Sequence, residues 1–246
     1  MSENPPAGAE LRGQHVLETI QRLERRINDR FPGSGLGRVG TQLQHLAAET
    51  EAGIARLRKP LWLPRIGAAL GIIGIVIVAE EILRLGMPGS LQVGNISDFL
   101  QGSEAAVNLV ILLAIGIFFM ISLETRIKRR AALAALHRLR SIIHIVDMHQ
   151  LTKDPEFVLT PGMATGASPE RHLTRFELSR YLDYCSELFS LTSKVAALYA
   201  QHVNDAVVLA AVNDIESLAA SLSHKIWQKI MILDSVKGVQ VSDPGH

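Results

Sequence analysis

The sequence predicts an all-α membrane protein: a two-helix transmembrane hairpin with a cytoplasmic helical bundle formed by the N- and C-terminal segments. Three observations predict it. Apolar residues make up 48% of the 246-residue chain but aromatics only 5%. That balance suits packing by Leu, Ile, Val and Ala on helices better than a β-sandwich. Two blocks of the chain are apolar over nearly a membrane's thickness. Elsewhere apolar residues recur at spacings of three and four, the helical period.

The first helix is expected from about Ala9 to Arg30, where Val16, Ile20, Leu23 and Ile27 share one face. "FPGSGLG" at 31–37 breaks it. A second helix follows, with Leu36, Val39, Leu43, Leu46, Thr50, Ile54 and Leu57 on one side. These two make an N-terminal cytoplasmic pair, residues 1–60. "KP" at 59–60 and Pro64 are expected to bend or cap the junction with the next element.

The hairpin covers residues 61–124. Its first block, "LWLPRIGAALGIIGIVIVAEEILRL", is charge-free only from Ile66 to Ala79. From Ile66 to Arg84 a helix rises roughly 28 Å, enough for the hydrocarbon core, with Arg65 snorkelling at one end and Glu80 and Glu81 near the other. The second block, "AAVNLVILLAIGIFFMISL", Ala105–Leu123, has no charge and one strongly polar side chain, Asn108. A short external loop, 86–104, joins them; it has no Lys or Arg. Arg56, Arg58, Lys59 and Arg65 precede the first span, and Arg126, Lys128, Arg129 and Arg130 follow the second. The positive-inside rule then puts both termini in the cytoplasm, and the expected location is a bacterial inner membrane. "MSENPPAGAE" lacks the basic start and apolar core of a signal peptide.

Residues 125–246 are expected to hold a stalk helix and a C-terminal helical pair. The stalk continues the second span to about His149, with Ala132, Leu136, Leu139, Ile143 and Val146 as its stripe. "TKDP" ends it, with Lys153 near the negative helix end. A loop of about twenty residues, 151–173, follows. Thr174 and Glu177 form a capping-box pattern that opens the next helix, lined by Leu178, Leu182, Cys185, Phe189, Ala196 and Tyr199. After a break near "HVND", Val208, Val212, Ile215, Ala219, Leu222, Ile226, Ile230 and Leu233 form a coiled-coil-like seam.

Candidate sites follow from polar residues on these faces. "IIHIVDMHQLTKDP" places His144 and Asp147 three apart, as two ligands of a metal site could be, but a metal needs more than two. The plainer alternative is a salt-bridged stripe in which Arg140 pairs with Asp147. Asp183 and Glu187, one turn apart, read either as half a metal site or as a solvated face. Cys185 lies on an apolar face, where packing is the simpler role. Gly67, Gly71 and Gly74 form a small-residue strip for close helix approach, either to the second span through Gly116 or to a neighbouring copy. Glu80 and Glu81 could ring a pore mouth.

Net charge is +1, so no nucleic-acid partner is expected. Phosphate-loop, Rossmann, zincin and nucleophile-elbow motifs are missing, so no enzyme class and no cofactor is indicated. The expected partners are membrane lipid, further copies of the chain and a cytoplasmic protein. The leading expectation is a non-enzymatic oligomer whose cytoplasmic bundle scaffolds or regulates partners. A small channel or transporter is the first alternative, and a membrane-tethered metal-dependent enzyme the second.

Overall fold

The computed structural model describes residues 11–58, 62–85, 96–155 and 173–239. Six helices and no strands occur among them: α1 Gly13–Arg30, α2 Gly35–Arg58, α3 Trp62–Leu85, α4 Ile96–Leu151, α5 Arg175–His202 and α6 Ala206–Val239. The chain divides into two compact units, residues 59–130 and the two flanking segments 1–58 and 131–246 taken together. α4 contributes to both, up to Arg130 in the first and from Ala131 in the second.

In the larger unit each amphipathic stripe is buried. Val16, Ile20, Leu23 and Ile27 of α1 meet Leu36, Val39, Leu43 and Ile54 of α2 in one apolar core. That core also takes Ala132, Leu136, Leu139, Ile143 and Val146 of α4, the inner face of α5, and the α6 seam from Val208 to Leu233. The reason is geometric: residues three and four apart stand on one side of a helix, and each apolar side is removed from water by another. Leu57 is only partly buried. Thr50 is buried because its hydroxyl donates to the Leu46 carbonyl at 2.7 Å and accepts from the Tyr199 hydroxyl at 3.4 Å.

Local signals set the helix ends. Gly33 takes φ +70°, open to a residue without Cβ, and so turns the chain between α1 and α2. Ser34 then caps α2, its Oγ accepting from the Gly37 amide at 3.1 Å. The capping box at α5 is present in both directions between Thr174 and Glu177. These bonds hold the Glu177 carboxyl below its ordinary range. Asp205 caps α6 by accepting from the amides of Val207 and Val208 at 3.0 and 3.2 Å.

α4 starts at Ile96, well before the expected Ala105, so the connection expected over 86–104 is partly helix. The remainder of that loop, 86–95, lies outside the described residues, as do 156–172 of the loop expected at 151–173. The junction residues 59–61 lie outside them too, while Pro64 sits in the first turn of α3, where a missing N–H costs nothing.

By length and composition, two helices could cross a membrane: Val107–Leu151 and Ala206–Ser235. They differ in burial. The most apolar window of the first is 0% buried and that of the second 28%. The second is α6, whose buried share is the seam facing the core.

Candidate functional site

The smaller unit holds the contact on which a functional reading rests. α3 and α4 run antiparallel, and the glycines of α3 face side chains of α4. A Cβ at Gly67 would stand 3.4 Å from the Met120 sulfur, one at Gly71 2.9 Å from Ile117 Cγ1, and one at Gly74 3.5 Å from Leu113 Cδ1. Hydrogen is the only side chain that leaves room at Gly71. The strip therefore receives α4 of the same chain. Gly116, the partner residue expected from sequence, faces open space. It sits on another side of α4 from Ile117, and bulky side chains fill the notches instead.

One end of this contact is polar. Glu124 on α4 accepts from Arg65 Nε at 3.4 Å and from Lys128 Nζ at 2.8 Å. Its side chain is only 16% exposed, so two cations offset the cost of partial burial. Around the contact, large apolar side chains point outward. Phe118 is 74% exposed, Leu112 65%, Leu70 63% and Val76 58%. Toward the other end Glu80 is exposed and pairs with Arg84 of its own helix at 2.6 Å. The Glu81 side chain lies outside the described residues.

The metal candidates sit in the larger unit. His144 is exposed and Asp147 half-buried. Asp147 does not pair with Arg140. Its Oδ1 accepts from the Gln150 amide at 2.7 Å. Gln150 is buried, and both its backbone carbonyl and its Oε1 accept from Lys229 Nζ, at 3.2 and 2.9 Å. The stripe is thus a hydrogen-bonded chain from Lys229 through Gln150 to Asp147. Among the described residues no group of three or more His, Cys, Asp or Glu side chains could hold a metal ion. Asp183 pairs with Arg180 at 3.3 Å, and Glu187 receives both guanidinium nitrogens of Arg26, at 2.9 and 3.3 Å.

Cys185 is fully buried, and burial pushes its thiol well above the usual range. It packs rather than reacts. Nearby, Phe31 meets Tyr181 and Tyr184 edge-on, with ring centroids 5.4 and 6.2 Å apart. Arg26 lies 5.2 Å over the Tyr184 ring and Lys153 5.6 Å over Tyr181. Sequence reasoning missed this cluster, because Tyr181 and Tyr184 flank the periodic stripe of α5 and Phe31 sits in a turn. His149 packs its ring on Gly35. Burial first, then the cations Arg38 and Lys153, lower its pKa from the ordinary value.

No protein family, curated protein or solved structure matches the chain.

Proposed function

We propose that the chain is an integral membrane protein without enzymatic activity, inserted as an α3–α4 hairpin, whose cytoplasmic helical bundle scaffolds or regulates protein partners. One observation supports this above the others: the apolar window of α4 is wholly unburied. Phe118, Leu112 and Ile115, at 74%, 65% and 59% exposure, belong to a surface far more apolar than a water-facing helix carries. Lipid is the solvent that accepts it. α6 passes the same length and composition test, but its seam is sequestered in the helical core and its flank carries Asp214 and Glu216. The Lys/Arg asymmetry of the sequence favours cytoplasmic termini, as in a bacterial inner membrane. Scaffolding is the part of the reading that rests on architecture alone.

The pore alternative has less support, since Glu80 is held by Arg84 rather than presented alone. Self-association through the glycine strip also loses its basis, because α4 of the same chain occupies it. The amphipathic stripes are likewise covered within one chain. Oligomer formation then falls to exposed apolar side chains such as Trp227 and Met231 of α6.

The test is topology. With cysteine at position 95, an impermeant maleimide added to intact cells labels the chain, while tags at both termini stay protected. Extraction of the chain by alkaline carbonate, or external access to either terminus, overturns the reading. Particle mass in mild detergent tests the oligomer, and ion flux in proteoliposomes tests the pore.

A further inference from the structure

We infer that Arg126 and Arg130 form the headgroup site of an anionic phospholipid whose acyl chain lies along the exposed stripe of α4 beside them. The inference rests on the membrane reading above and adds to it a lipid class and a place.

The basic residues that follow the apolar window fall into two groups. Lys128 is bonded to Glu124, which also holds Arg65. Arg129 is engaged within the chain as well. Arg126 and Arg130 are exposed. Among the described residues neither takes part in a hydrogen bond or ion pair. Their spacing of four puts them on one face, a turn apart, where like charges repel. The neighbouring carboxylate offers no relief. At 100° per residue Glu124 lies roughly 160° around the helix from Arg126.

The same face continues as an apolar strip. Leu112, Ile115 and Phe119 fall within about 40° of the line between the two arginines. They are 65%, 59% and 57% exposed. A free phosphate would use the arginines alone. A phospholipid uses both parts: its phosphate takes the planar guanidinium forks, and its chain covers the strip. A zwitterionic lipid brings its own cation to the site and gains less. The occupant is therefore an anionic phospholipid.

The experiment uses the full chain in mild detergent, offered equal amounts of phosphatidylglycerol and phosphatidylcholine, with bound lipid read by native mass spectrometry. Each arginine is worth about fivefold, so the preference for phosphatidylglycerol is roughly thirtyfold. R126Q/R130Q loses it, and either single variant loses about fivefold. R22Q/R25Q, the same charge change on α1, keeps it. Absence of preference in the wild type, or equal preference in R126Q/R130Q, overturns the site. Flotation with pure phosphatidylcholine vesicles separates this from the larger reading. A chain that floats yet shows no preference refutes the lipid site alone. A chain that does not float refutes the membrane reading and the site with it.

Discussion

Replacing Gly71 with leucine should break the α3–α4 contact, and a second change should restore it. A Cβ at this position stands 2.9 Å from Ile117 Cγ1 and 3.3 Å from its Cδ1. At Gly67 and Gly74 the nearest atoms, Met120 Sδ and Leu113 Cδ1, lie at 3.4 and 3.5 Å. Ile117 is β-branched and stiff at χ1, whereas Met120 is flexible. Position 71 therefore yields least. Overpacking of this kind costs about 1–3 kcal/mol, and lipid supplies no hydrophobic drive to hold the helices together against it. Cysteines placed at Ala79 and Asn108 carry a dye pair, while Cys185, buried and with its thiol pKa raised, stays unlabelled in the folded chain. Energy transfer is followed through an SDS titration in mixed micelles. Gly71→Leu shifts the transition to lower SDS by about 1–3 kcal/mol, and Ile117→Ala in that background recovers most of the loss. Ile73→Leu, at an exposed position, changes little. Equal costs at 71 and 73, or no recovery with Ile117→Ala, would refute the packing argument.

Three further outcomes are expected in the larger unit. Ile215→Asp or Leu222→Asp buries an unpaired charge in the α6 seam and costs about 3 kcal/mol or more, whereas Asp214→Ala and Glu216→Ala stay within about 0.5 kcal/mol in thermal or denaturant unfolding. Lys229→Met strips the buried Gln150 of its donor and costs about 1–3 kcal/mol; K229M/Q150L should recover part of that loss, and a matching loss in the double variant would argue that the orphaned Gln150 is not its source. His149 has its folded pKa below its unfolded value. Between those values the unfolded chain binds more protons, so stability is full above about pH 6.5 and falls as pH drops toward the folded pKa. His149→Gln should flatten that slope, and unchanged slopes in wild type and variant would discount His149 as its source.

What the sequence made legible was periodic. The α6 seam from Val208 to Leu233 and the stripe of α1 are buried as their spacing predicts, because a helix presents every third or fourth residue to one side. The capping box at Thr174 was legible for the same kind of reason, since its partners are three residues apart. The misses are long-range. Lys229 meets Gln150 across 79 residues of sequence, and no local pattern encodes that distance. Small residues announce close approach but not the residue that approaches, so Gly116 looked like the partner where Ile117 is. Asp147 was offered Arg140 seven positions before it and took Gln150 three positions after it. Gln150 stands one turn from Asp147 and Arg140 two turns, about 10.5 Å along the axis, so the nearer group bonds, and Lys229 holds Gln150 in place.

The glycine notches have a property of their own: they are degenerate. Gly67 and Gly71 repeat at four residues, and so do Leu113 and Ile117. Sliding α4 by one turn, about 5.4 Å, would seat Ile117 over Gly67 and Leu113 over Gly71, with similar van der Waals contact. Steric fit alone would thus tolerate two alignments of the pair. The Arg65–Glu124 bond exists in only one of them, because the slip carries Glu124 past the start of α3 and leaves Arg65 against Phe119. The apolar notches act as the fine scale of a vernier and the ion pair as its zero mark. Exchanging Arg65 and Glu124 should therefore preserve the alignment, while neutralising both should let the two helices populate more than one.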